Sequence, residues 1–204
     1  MTEKLALNEY PVHDLIRSRW SPRAFADRPV EQDKVLSLLE AARWAPSSYN
    51  YQPWSFIIAT KDDQTEYNRL LSTLVEFNQG WAKNAPVLIL AVAKVRSDEG
   101  KTNRHAFHDV GLALENLTIQ ATAFDLAVHQ MAGFDADSAR KQYQIPDDYE
   151  PVTALAVGYP GDAQSLADGL RDREVAPRSR KPLQEFVFGG QWGSTSSLLI
   201  NNKF

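Results

Sequence analysis

Apolar residues in this chain recur with a helical period in some segments and run continuously in others. Val35, Leu38, Leu39 and Ala42 fall three and four residues apart, which predicts one apolar face of a helix over Val30–Trp44, ended by Pro46. Phe56-Ile57-Ile58-Ala59 is continuous instead, and Trp54–Thr60 reads as a strand bounded by Pro53 and by Lys61-Asp62-Asp63. Pro86–Val92 is the strongest strand, too continuously apolar for a face open to water. Phe107, Val110, Leu114, Leu117 and Ala121 predict a helix over Arg104–Phe124 with a wide buried stripe. The remaining elements are a first helix around Val12–Arg17, a polar helix near Asp62–Phe77, a strand at Val128–Met131 that ends at Gly133, a helix at Asp137–Tyr143 and a strand at Val152–Gly158. After Pro160-Gly161-Asp162 the sequence turns polar and irregular, and no repeat or linker divides the chain. The reading is a single domain over 1–204, with 162–204 as a C-terminal segment.

Two places concentrate chemistry. Between the helix ending at Trp44 and the strand opening at Trp54 lies Ala45-Pro46-Ser47-Ser48-Tyr49-Asn50-Tyr51-Gln52-Pro53, a turn rich in hydroxyls and amides and flanked by aromatic surface. That combination suits the edge and face of a planar heterocycle, although Pro, Ser and Asn also favour turns for local reasons. Upstream, Arg17, Ser18, Arg19, Ser21 and Arg23 crowd a short stretch of an otherwise acidic chain. Guanidinium groups grip phosphate oxygens through paired, charge-assisted hydrogen bonds, whereas an isolated basic triplet is more often a solvated loop. Arg178-Ser179-Arg180-Lys181 forms a second basic cluster, and nothing in the sequence brings the two together.

Arg19-x-Ser21-x-Arg23-x-Phe25, Pro46-Ser47-Ser48-x-Asn50-x-Gln52-Pro53-Trp54 and Gly158-Tyr159-Pro160 resemble, in order and spacing, the nitroreductase family of flavoproteins. Asp109–Leu117 resembles the long central helix of that family, and Met131-Ala132-Gly133-Phe134 the segment that passes the flavin ring, so the resemblance runs discontinuously from about Ile16 to Trp192. It implies an α+β fold with a central, mostly antiparallel sheet flanked by helices, in an interlocked homodimer with FMN at the interface. The residues it assigns to FMN are Arg19, Ser21, Arg23, Arg178 and Arg180 around the phosphate, Trp20 between them as a residue that, like Tyr49, narrows the pocket, and Pro46, Ser47, Ser48 and Asn50 at the ring from the partner subunit. Asn78 is assigned to the pyrimidine edge, and the backbone of Ala132 and Gly133 to flavin N5. It implies no catalytic side chain. NAD(P)H would reduce the flavin and leave before a nitroaromatic, quinone or other small electron acceptor binds. No Gly-x-Gly-x-x-Gly fingerprint follows a strand, so the nicotinamide is expected to bind transiently over the flavin. Dehalogenases, flavin-fragmenting enzymes and a non-catalytic flavin-binding module remain alternatives.

Composition narrows the picture. Of 204 residues, 43% are hydrophobic, as in an ordinary folded domain, and the net charge of -4 argues against a nucleic-acid surface. With no cysteine there is no disulfide and no thiolate metal site. His105, His108 and Asp109 lie on adjacent helix faces without a third well-spaced ligand, so they read as surface residues and not as a metal site. No signal-peptide core opens the chain and no apolar run approaches the ~20 residues that cross a bilayer, so the expected location is cytoplasmic, with no membrane partner. Phe186, Val187, Phe188 and Trp192 lie in a segment too poor in periodic apolar residues to build its own core, which suits a tail wrapped over a partner.

Overall fold

In the computed structural model, which describes residues 4–200, four strands form one sheet. They are β1 (Trp54–Thr60), β2 (Val87–Lys94), β3 (Ala127–Met131) and β4 (Tyr149–Gly158), in the order β1-β2-β4-β3 with every neighbouring pair antiparallel. The helices are α1 (Asp14–Ser18), α2 (Gln32–Arg43), α3 (Gln64–Leu71), α4 (Glu76–Ala82), α5 (Ala106–Ala123), α6 (Ala136–Tyr143), α7 (Asp168–Val175) and α8 (Ser197–Ile200).

β2 explains the layering. Its side chains alternate, so Val87, Ile89, Ala91 and Ala93 pack with Leu38 and Ala42 of α2 and Val110, Leu114 and Leu117 of α5. Leu88, Leu90 and Val92 face the opposite way, into a second core with Tyr67 and Leu70 of α3, Trp81 of α4 and Ala139 of α6. Both faces of the strand are covered, which is why its sequence is continuously apolar. Phe107 leaves the predicted α5 stripe and is half exposed, whereas the other four members are buried.

Most element ends fall within two residues of the sequence reading, and three places depart further. The helix expected over Asp62–Phe77 is two helices. Thr73 and Leu74 leave helical geometry because Asp135 N donates to Thr73 O at 2.7 Å, Val75 N donates to Gly133 O at 3.1 Å, and Leu74 pairs with Phe134. β4 begins at Tyr149 and not at Val152, since the register shift opposite Ala91 and Val92 lets the sheet admit Pro151, which lacks a ladder donor. The segment after Asp162 contains α7, a helix with no clear apolar stripe. The remaining tail carries exposed Phe186 and Trp192, the latter stacked edge-on to Phe188 at 5.1 Å. Among the described residues, no helix is long and apolar enough to cross a membrane.

Candidate functional site

The first basic cluster starts where α1 ends. Arg19 caps that helix through its N–H to Leu15 O, and its Nη1 donates to Ser21 Oγ at 3.3 Å. Pro22 then lies against β3, its carbonyl 2.9 Å from Nδ1 of His129. That carbonyl accepts only, so Nδ1 carries the proton, and burial pushes the imidazole down to about 4 and keeps it neutral. The loop leaves along the Gly158–Gly161 segment. Ala26 N donates to Tyr159 O and Gly161 N to Ala24 O, and a Cβ on Gly161 would lie 2.5 Å from the carbonyl carbon of Phe25. Glycine is needed there because two backbones touch.

The second cluster folds onto the first. Arg178 Nη1 donates to Lys4 O and to Arg17 O, each at 2.9 Å, clasping the N-terminal segment and the end of α1. Burial lowers the Arg178 pKa, and the neighbouring guanidinium groups of Arg19 and Arg180 lower it further. Burial likewise lowers Lys4, opposed by Glu174 and reinforced by Arg178 and Arg23. Lys4, Arg19, Arg23, Arg178 and Arg180 therefore crowd one corner, where after burial the neighbouring positive charges are the further cause that lowers Lys4 and Arg178. Arg23 adds a buried Nε without a hydrogen-bond partner. Trp20 lies beneath Lys4, whose Nζ is 4.6 Å from the indole ring.

From this corner an aromatic path leads to Asn78 and Gly133. The Arg23 guanidinium sits 5.9 Å from the Trp81 ring, and Trp81 also packs on His129 at 4.6 Å. Trp81 Nε1 donates to Asn78 Oδ1 at 3.2 Å, and Asn78 Nδ2 donates to Gly133 O at 2.9 Å. A Cβ on Gly133 would come within 2.5 Å of that Nδ2, so glycine admits the amide. Arg19, Ser21, Arg23, Asn78, Ala132, Gly133, Arg178 and Arg180 thus line one edge of the molecule, beside β3.

Pro46, Ser47, Ser48 and Asn50 lie elsewhere. Their turn feeds β1, three strands from β3 in the sheet order, or roughly 14 Å at the usual strand spacing. Tyr49, Asn50 and Gln52 all adopt the left-handed backbone, at φ of 50, 57 and 46°. For a residue with a Cβ that is unfavourable, and something must hold it. Asp109, 1% exposed in the first turn of α5, accepts from Ser48 N at 3.0 Å through Oδ2 and contacts His108 Nδ1 at 2.9 Å through Oδ1. Ser47 Oγ closes the turn by accepting from Gln52 N at 3.0 Å. Tyr49 projects outward at 89% exposure. Among the described residues no group of three or more His, Asp or Glu side chains is placed to hold a metal ion.

Sequence reasoning did not anticipate the parts played by Asp109, Trp81, His129 or Glu174. Asp109, read from the sequence as a helix-surface residue, is instead buried and held by its bond from Ser48 N, whereas His105 and His108 are exposed as read. Trp81, His129 and Glu174 act through tertiary neighbours that no spacing reveals.

The Nitroreductase family model matches residues 16–159. A solved structure described as an oxidoreductase containing FMN superimposes with a TM-score of 0.87 at 38% identity, covering 92% of this chain and 96% of its own. A 15.4 kDa protein of Mycolicibacterium smegmatis is 33% identical over 145 residues, 68% of this chain and 97% of the relative. A Streptomyces coelicolor protein named as an NADH dehydrogenase/NAD(P)H nitroreductase is 28% identical over 157 residues, 67% of this chain and 77% of the relative. The matched span carries the arginine loop, the Ser47–Asn50 turn, Asn78 and Gly133 in an antiparallel α+β fold, and on that basis the chain belongs to the nitroreductase family.

Proposed function

We propose that the chain is an oxidoreductase that binds FMN and uses NAD(P)H to reduce nitroaromatics, quinones or similar small acceptors, working as a homodimer. The observation that carries this reading is the convergence of Arg19, Arg23, Arg178 and Arg180 from opposite ends of the chain, with repulsion that a phosphate would relieve. The donor chemistry fits FMN: guanidinium forks and the Ser21 hydroxyl for the phosphate, with the Asn78 and Gly133 neighbourhood close by for the ring. The solved relative's description as containing FMN and the Streptomyces relative's name support the cofactor and the nicotinamide substrate. The chemistry that bound flavin supplies is acceptance of hydride from the nicotinamide and passage of the two electrons to the acceptor.

The chain's own residues bind and orient. Arg19, Ser21, Arg23 and Arg180 hold the phosphate, Arg178 clasps the segments that carry them, and Trp20 supports Lys4 above the loop. Pro46, Ser47, Ser48 and Asn50 stand on the opposite edge of the sheet and meet the ring of the partner's cofactor. An outward Tyr49 beside that turn narrows the space left for the acceptor.

The test is a pair of titrations and one kinetic experiment. FMN is expected to bind orders of magnitude more tightly than riboflavin, because each charge-assisted bond to the phosphate contributes roughly 1.5–3 kcal/mol. Double-reciprocal plots of NAD(P)H oxidation at several menadione concentrations are expected to be parallel, since the two substrates take turns at one face. Equal affinity for the two flavins would refute the phosphate assignment, and intersecting lines would refute alternating occupancy.

A further inference from the structure

α7 is docked by an acid. Of its apolar residues Leu170 reaches the core and Val175 is exposed, while Glu174 in the last turn is only 4% exposed. A carboxylate there faces the unfavourable pole of the helix dipole, and burial adds a desolvation cost that nearby groups must offset. Glu174 Oε1 accepts from Arg23 N at 2.8 Å and from Ala24 N at 3.0 Å, gripping the arginine loop from behind. Its Oε2 is buried without a hydrogen-bond partner, as is Arg23 Nε. Its main-chain oxygen accepts from Lys4 Nζ, and five cations surround this corner.

We propose that Glu174 is a positioning residue for the anion end of the cofactor, an inference that rests on the FMN reading above. It acts in two ways with opposite consequences for binding. Its two backbone bonds hold residues 23 and 24 where Arg23 serves the phosphate. Its charge balances Lys4 and the arginines while the site is empty, and thereby lowers the positive potential that an incoming phosphate meets. Removing the whole carboxylate costs affinity. Removing the charge alone, with the acceptor kept, increases affinity.

The experiment compares the flavin-stripped wild type with Glu174→Ala and Glu174→Gln, titrating each with FMN and with riboflavin. Glu174→Ala is expected to weaken FMN about tenfold or more. Glu174→Gln is expected to lower the Tm of the empty protein and to tighten FMN about three- to tenfold, the size of one charge–charge interaction at screened range, with riboflavin unchanged. FMN and riboflavin shifting together in Glu174→Gln would reduce Glu174 to a structural residue and overturn the proposal, as would unchanged or weakened FMN binding in that variant. If Glu174→Ala fails to fold, the isosteric Glu174→Gln decides alone. A wild type that binds both flavins equally would sink the FMN reading itself and the role of Glu174 with it, an outcome distinct from a wild type that discriminates and a variant that does not respond.

Discussion

Arg178 and Arg180 stand two residues apart on one loop and do different work. Arg178 spends Nη1 on the carbonyls of Lys4 and Arg17, whereas Arg180 is exposed and its Nη1 reaches only the adjacent Ser179 O. Arg178→Ala leaves two carbonyls without their donor and is expected to lower unfolding free energy by about 1–3 kcal/mol in urea titrations, together with weaker FMN binding. Arg180→Ala is expected to leave the urea midpoint unchanged and to weaken FMN about tenfold or more, one charge-assisted bond by fluorescence titration. The reverse pattern would mean that the clasp and the phosphate ligand have been exchanged. In sequence the two arginines are indistinguishable, because the difference lies in whether residues 4 and 17 fold beneath the guanidinium.

At the scale of elements, a buried acid does at α5 what hydrophobic contacts do elsewhere. Three left-handed residues follow Ser48, and Asp109 supplies the tether that offsets their backbone strain. Asp109→Ala is expected to cost about 1.5–3 kcal/mol of stability, the worth of a hydrogen bond to a charged group, while Asp109→Asn keeps an acceptor and loses less. Limited proteolysis should also cut faster near Tyr49 in the alanine variant. Identical urea curves and cleavage rates for wild type and Asp109→Ala would show that the turn holds itself. The same contrast explains which elements were legible. α2, α5 and β2 carry their period in apolar residues, and the sequence reading found them within a few positions. α7 went unseen because its buried residue is Glu174, and the break between α3 and α4 went unseen because its cause is pairing with residues 133–135.

At the scale of the whole molecule, the sheet order separates the parts of the proposed site. The turn lies at the β1 edge and the arginine corner at the β3 edge, and in the proposed homodimer a complete site takes one part from each subunit. Complementation tests this. Arg23→Ala damages the corner and Asp109→Ala the turn. When the two variants are denatured together and refolded as a one-to-one mixture, mixed dimers carry one intact site and one doubly damaged site. Statistical pairing then restores about a quarter of the wild-type FMN sites, with a matching share of NAD(P)H–menadione turnover. No recovery above the separate variants, or a monomer by light scattering that binds FMN tightly, would show that each chain completes its own site.

What the sequence by itself determined was local or periodic. Apolar spacing in 35–42, 86–92 and 107–121 located the helices and the central strand, and the spacing of Arg19, Ser21 and Arg23, of Pro46 to Trp54 and of Gly158 to Pro160 carried the family. Each signal lies within a window of a few turns, where backbone geometry alone relates one residue to the next. Only the tertiary structure brought Arg178 and Arg180 to Arg19 and Arg23, placed Glu174 behind the loop and set the turn at the far edge from Gly133. Those relations depend on chain reversals and strand order, and on buried charges whose partners are more than a hundred residues away, as with Glu174 and Arg23 at a separation of 151. Charge carries no period, so a buried acid and a solvated one look alike until the fold surrounds one of them with cations.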